Sequence, residues 1–170
     1  RQEQNHGCAS LIINESFFKE SLEMRRLLLR GMDALITNVP GYCVCVTTAD
    51  CVPVLLYDKK QHVVAAVHAG WKGTVKHIVS HVMDHLNKMF GTQGEDVIAC
   101  IGPSISLESF EVGDEVYDAF EESGFDMSLI SMKKKETGKY HIDLWEANRI
   151  ELLNLGVPAE QIEVAGICTY

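Results

Sequence analysis

Basic residues are scarce in this chain of 170 residues: 15 lysines and arginines stand against 24 aspartates and glutamates, leaving a net charge of -9. That balance argues against a general nucleic-acid binder and against a protein drawn to anionic membranes, while local binding of a small anion stays open. No apolar run is long enough to span a bilayer, and there is no signal-peptide pattern, low-complexity tract, internal repeat or Gly/Ser/Pro linker. No C-x-x-C pair occurs among Cys8, Cys43, Cys45, Cys51, Cys100 and Cys168. Reduced thiols in a cytoplasmic protein are therefore expected, not a disulfide framework. The dense basic run Lys133-Lys134-Lys135 sits beside Glu136, Thr137 and Gly138 and reads as a solvated loop.

What is present is enough apolar residue, 46%, to bury a core within one domain spanning residues 1–170. β-branched and aliphatic runs predict strands near 9–13, 34–37, 42–47, 53–57, 62–67, 97–101, 140–142 and 162–167. Helical periodicity fits 17–29, 75–90, 112–122 and 144–155. The mixture predicts a mixed α/β fold, with one large mixed sheet or two packed sheets and helices outside. Cys43, Cys45 and Cys100 fall in strand-like runs and are expected to pack inside. The chain opens on Arg1 and stops soon after its last strand, which reads as a domain lacking N- and C-terminal segments.

One segment carries most of the chemical information. Thr47-Thr48-Ala49-Asp50-Cys51-Val52-Pro53 is followed by His68-Ala69-Gly70-Trp71-Lys72-Gly73, and the residues between them look like a hairpin. A tight turn on Lys59 and Lys60 would pair Tyr57 with His62 and, further out, Cys51 with His68. Opposed residues of an antiparallel pair have Cβ atoms roughly 4.5–5.5 Å apart, close enough for two ligands of one metal ion or for a Cys/His catalytic pair. The glycines after His68 fit either an anion-holding loop before a helix, with Lys72 as countercharge, or a tight turn around Trp71. His77, His81 and His85 recur at helical spacing but fall largely on the polar side of the following helix, so they read as a solvated face.

These motifs, TADCVPVLL, HAGWKG, IGPSIS with EVG, HIDLWEAN and the terminal CTY, resemble in order those of the bacterial laccase-domain family. That family was first described as multicopper polyphenol oxidoreductases and later as zinc-dependent purine nucleoside phosphorylases with adenosine deaminase activity. The resemblance runs from about residue 4 to residue 170 and implies a zinc ion held by His6 of the Q-x-H-G motif, Cys51 and His68. Purine nucleosides and phosphate are the implied small-molecule partners, with Gln4 and Lys72 as candidate substrate contacts. Three protein ligands leave a fourth position for water, whose pKa zinc lowers, and Asp50 is the adjacent candidate for proton transfer beside Cys51 and His68.

The chain departs from the family pattern at Lys72, where relatives often carry arginine, and at Ser106 and Phe110, where glycine and tyrosine are usual. A four-copper laccase needs many histidines, usually in His-x-His pairs, whereas this chain has seven histidines and no such pair. Copper could still enter a His/Cys site in vitro. Two further readings remain open at this point. One is a metal-free hydrolase or deamidase with Cys51 as nucleophile and His68 as its base; the other is a non-catalytic metal-binding or interaction domain.

Overall fold

The computed structural model describes residues 3–170. In chain order the elements are β1 (Ser10–Ile12), α1 (Glu15–Lys19), α2 (Leu22–Leu29), β2 (Ala34–Thr37), β3 (Val52–Asp58), β4 (Val63–Ala69), α3 (Trp71–Val75), α4 (Ile78–Phe90), β5 (Val97–Ile101), β6 (Glu111–Val112), α5 (Asp114–Glu122), α6 (Met127–Ile130), β7 (Ser131–Lys133), β8 (Tyr140–Ile142), α7 (Leu144–Asn154) and β9 (Ile162–Val164). Six strands form one mixed sheet in the order β1-β2-β4-β3-β5-β9, parallel at its two edge pairs and antiparallel inside; β6, β8 and β7 form a small antiparallel sheet. The expected mixed α/β architecture with a large sheet is present.

Alternation along β3 explains why the sheet has one closed face. Val52, Val54 and Leu56 point into the core, with the buried Asp58 on the same side, whereas Leu55 and Tyr57 are exposed. Helix α4 lays Ile78, Val79, Val82, Met83 and Leu86 against this core, and α7 adds Leu144, Ala147 and Leu152. Burying a side chain of this size is worth about 1.5–3 kcal/mol. The opposite face of the sheet stays partly open, with Leu55, Tyr57 and Ile98 exposed beside Tyr42 and Cys43.

The hairpin of β3 and β4 forms two residues out of the expected register. Tyr57 pairs with Val64, Val52 with Ala69, and Pro53, not Cys51, lies opposite His68. Asp58 causes the shift: its Oδ1 accepts the backbone N–H groups of Lys60 and Gln61 at 2.8 and 2.9 Å, and its carbonyl accepts from His62. His62 closes this four-residue loop at φ 54. A slip of two residues leaves every side chain on its original face, so Cys51 remains diagonal to His68.

Several other boundaries differ from the sequence reading. Residues 42–47 form no strand, and Cys43 and Cys45 are exposed instead of buried; Cys100 is half-buried. The segment predicted as one helix over 17–29 breaks at Glu20 and Ser21, both extended, because the Ser21 side chain caps α2 by accepting from Met24 N–H. The helix predicted over 75–90 breaks at His77, which sits at φ 55. Short elements β6, α6 and β7 were not legible in the pattern. All six cysteines are free thiols.

Candidate metal centre

The register of β2 on β4 builds the back of the site. Ala34 pairs with Val67, so Asp33 comes to lie beside His68, whose backbone N–H donates to the Asp33 carbonyl at 2.8 Å. Asp33 is fully buried, and its carboxylate gathers three donors. His6 N–H reaches Oδ1 at 3.0 Å, Gly7 N–H reaches Oδ2 at 2.7 Å, and His68 Nδ1 lies 2.9 Å from Oδ1. The two backbone N–H groups make both carboxylate oxygens acceptors, so the ring nitrogen 2.9 Å from Oδ1 is placed to donate to it. Nδ1 of His68 therefore carries the proton, and Nε2 presents its lone pair.

His6 is brought to the same place by the loop that Asp33 anchors, with its backbone at φ 56. The His6 and His68 rings meet edge to face at 4.8 Å between centroids. With Cys51 they form a group of three metal-ligating side chains whose ligand atoms all lie within 4.8 Å of one another. Bond lengths to a tetrahedral zinc ion put neighbouring ligands roughly 3.3–3.8 Å apart, so the widest ligand pair stands only about 1–1.5 Å beyond that spacing. His68 is buried, Cys51 half-buried and His6 exposed, leaving the His6 side accessible to solvent.

Glycine at position 70 is a spatial requirement of this cluster. A Cβ there would lie 2.8 Å from Cys51 Sγ and 3.1 Å from His6 Cδ2. A Cβ on Gly73 would lie 3.1 Å from the Gly7 carbonyl oxygen. Both glycines of HAGWKG thus make room for the Cys51 and His6 segments to approach.

The electrostatics separate two uses of the cysteine. Burial, then the charges of Asp50 and Asp33, push the Cys51 thiol above its ordinary value. Nucleophilic cysteines sit in electropositive surroundings that do the opposite. A bound cation would supply the missing positive charge and bind the thiolate outright.

The remaining sequence candidates lie nearby with definite partners. Asp50 is exposed, and its Oδ1 accepts from Thr169 Oγ1 at 2.8 Å. Gln4 pairs its amide with the Thr47 backbone in both directions at 2.9 Å, fastening the Q-x-H-G segment to the loop before Cys51. Lys72 is exposed on α3, with Nζ 5.4 Å from the Trp71 ring centroid. His77, His81 and His85 take no part in the cluster: His77 contacts Ser123 and Phe125, His81 is exposed, and His85 pairs with Ser10. Lys134 donates to the Glu108 carbonyl and Lys133 lies over Tyr140, so the basic run is only partly a solvated loop.

Asp33 was missed by the sequence reading. Its signal was available: an acidic residue directly preceding the apolar strand Ala34–Thr37, a position next to the core that a carboxylate occupies only with partners. Replacing it with Asn should raise the metal dissociation constant about 10- to 100-fold, the usual cost of losing an outer-shell partner of a ligating histidine. Competition against a chromophoric chelator measures this; unchanged affinity would remove Asp33 from the site.

Fold and site together define a mixed α/β protein in which His6, Cys51 and His68 form a cluster that could hold a metal ion. The chain belongs to the family described as multi-copper polyphenol oxidoreductase laccase, whose model matches residues 1–170. It is 59% identical over 167 residues to a purine nucleoside phosphorylase of Bacteroides thetaiotaomicron, covering 98% of this chain and 62% of that one. It is 40% identical over 166 residues to adenosine deaminase RL5 of an unknown prokaryotic organism, covering 98% and 63%. Among solved structures, the Bacillus licheniformis hypothetical protein YfiH superposes with a TM-score of 0.84 at 31% identity, covering 99% of this chain and 63% of that one. The chain therefore spans somewhat less than two thirds of the length of these relatives.

Proposed function

We propose that this chain carries the metal centre of a zinc-dependent purine nucleoside enzyme. It would act by phosphorolysis of adenosine, inosine, guanosine or methylthioadenosine to free base and ribose-1-phosphate, and by hydrolysis of adenosine to inosine and ammonia. The observation that carries the reading is the convergence of His6, Cys51 and His68 with Asp33 behind His68. Relatives named purine nucleoside phosphorylase and adenosine deaminase support the two reactions.

Zinc at these three ligands would supply a Lewis acid and acidify a water in its open position. The chain's own residues do the rest. Asp33 fixes the tautomer and orientation of His68 and the course of the His6 loop. Gln4 holds the T-A-D-C loop at Thr47. Asp50, next to Cys51 and oriented by Thr169, is the carboxylate assigned to proton transfer during deamination. Lys72 supplies a positive charge for phosphate at the strand-to-helix turn after His68.

The metal-free Cys/His reading shares the Asp33–His68–Cys51 series, which also resembles a hydrolase triad. Two observations weigh against it. It gives His6 no role, and it needs a depressed Cys51 thiol where the surroundings raise it. We assign the enzyme to the cytoplasm on its cysteine usage, six cysteines with no C-x-x-C pair.

The deciding experiment incubates as-purified protein with a nucleoside panel, with and without phosphate and with and without a chelator, and separates the products by chromatography. Stoichiometric zinc and loss of turnover on chelation are expected. Turnover retained by metal-free protein would overturn the zinc assignment.

Changing Lys72 to Ala should separate the two reactions. Removing one charge-assisted contact to phosphate costs on the order of 1.5–3 kcal/mol, or roughly 10- to 100-fold in phosphorolysis, while deamination uses no phosphate and should be nearly preserved. Ribose-1-phosphate and inosine formation from adenosine, measured side by side, check this. An equal fall in both, or in neither, would sink the role of Lys72.

A further inference from the structure

The HIDLWEAN motif puts into the core one polar side chain that neither the packing nor the ligand set explains. Asn148, on α7, is 0% exposed among Leu144, Ala147 and Leu152. A buried amide belongs there only if its polar atoms have partners. They are satisfied on one side. Nδ2 donates to the Leu144 carbonyl at 2.8 Å and to Thr74 Oγ1 at 3.2 Å, whereas the buried Oδ1 has no hydrogen-bond partner among the described residues. Turning the amide over would not repair this, because the Leu144 carbonyl only accepts and needs the nitrogen. That carbonyl also lies one helical turn before the Asn148 backbone N–H, its regular partner in α7, so the helix does not depend on the side chain. What the amide adds is its second bond, to Thr74.

Thr74 is buried on α3 and faces the turn that follows His68. Because Oγ1 accepts from Asn148, its own hydrogen is free for the Ala69 carbonyl, at a long 3.5 Å. The Thr74 backbone N–H donates to the Gly70 carbonyl at 2.8 Å. One residue thus holds both carbonyls of the strand-to-helix turn, and Asn148 holds that residue in turn. The turn is where the ligand segments meet. Ala69 pairs with Val52, the neighbour of Cys51, and a Cβ on Gly70 would lie 2.8 Å from Cys51 Sγ and 3.1 Å from His6 Cδ2. A drift of the turn by a few tenths of an ångström is therefore felt by two ligands at once.

We propose that Asn148 and Thr74 are positioning residues of the metal centre, an inference that rests on the metal-centre reading. The amide fixes the Thr74 hydroxyl, Thr74 ties down the carbonyls of Ala69 and Gly70, and the turn so held sets where His68 stands relative to Cys51 and His6. Neither residue belongs to the ligand group, and both act through the backbone. The unpaired Oδ1 marks the difference between this role and a purely structural one. An apolar pair of the same shape would pack here without a buried orphan acceptor, and would leave the turn unfixed.

The test measures zinc affinity by chelator competition and the melting temperature of the stripped protein, in two variants with opposite expectations. Asn148→Leu with Thr74→Val replaces both hydrogen-bonding partners by apolar groups of like shape. Its stripped form should melt within a few degrees of wild type, while zinc binds about tenfold more weakly. Thr74→Ser keeps the hydroxyl and loses a buried methyl. It should melt lower by roughly 2–4 °C yet bind zinc as wild type does. Should the double variant fail to fold, Asn148→Leu alone, which leaves the Thr74 hydroxyl without its donor, should still weaken zinc about threefold or more. Wild-type affinity in the double variant, or affinity that simply follows melting temperature through the set, would overturn the positioning role and leave the metal-centre reading standing. Failure of the wild-type protein to bind zinc would overturn both.

Discussion

On the proposed function, a Cys51→Ala protein is expected to come through purification folded, without zinc and without either nucleoside activity. Cys51 stands just ahead of β3 and outside the core that Val52, Val54 and Leu56 build with α4, so removing one half-buried sulfur takes little from the packing. It takes much from the metal. A thiolate is the strongest donor of a His/His/Cys set, and two neutral imidazoles alone hold zinc weakly at neutral pH. Losing the several kcal/mol of charge stabilisation that a catalytic metal supplies should lower both rates on the order of a thousandfold or more. His68→Ala and His6→Ala should follow, with His68 the more disruptive because it is buried against Asp33. The exposed His81→Ala serves as control and should keep a full complement of metal. Elemental analysis with circular dichroism decides the matter: a Cys51→Ala protein that retains its zinc would remove the site.

The proximity of Cys51 to His68, though not their pairing, was legible in the sequence for a reason that tolerates error. Alternation and the two β-branched runs identify a hairpin, and the face on which its side chains fall depends only on whether the register is even or odd. The loop was misread because Asp58 can cap two backbone N–H groups and widen a two-residue turn to four, a choice local propensity does not decide. Face and neighbourhood survived; the exact partner did not. Residues 42–47 failed differently. Their alternation is strand-like, but no neighbouring strand of the described chain pairs with them, and Gln4 takes the Thr47 backbone instead. Asp33 was legible only in part: a carboxylate ahead of a buried strand signals that it has partners, but which partners follows from two loops and a strand converging, and sequence spacing between residues 6, 33 and 68 carries no trace of that. His6 entered the ligand set through resemblance to a family motif, and the structure brings it to Cys51 and His68.

Gly70→Ala should uncouple metal binding from folding more cleanly than any ligand substitution. Gly70 has φ -66 and ψ 166, an extended conformation that alanine adopts without strain, so the backbone resists nothing. The unfolded chain even loses some freedom, a gain for the folded state of about 0.4–1 kcal/mol. All of the cost falls on the added Cβ, 2.8 Å from Cys51 Sγ and 3.1 Å from His6 Cδ2. At 2.8 Å the sulfur has to shift, and at 3.1 Å the His6 ring has to give by a few tenths of an ångström, while His68 stays held by Asp33. Displacing two ligands of three should exceed the loss of an outer-shell partner, lowering metal affinity by on the order of a hundredfold or more. Activity should then track occupancy, recovering in part when zinc is added in excess. The melting temperature of metal-free protein should change by only a few degrees, since a stability change near 1 kcal/mol shifts it about 2–4 °C in domains of this size. Chelator competition and thermal melts on the stripped protein measure the two quantities separately. Wild-type affinity in Gly70→Ala would mean that Cys51 and His6 do not bind metal in the arrangement that leaves no room for a Cβ.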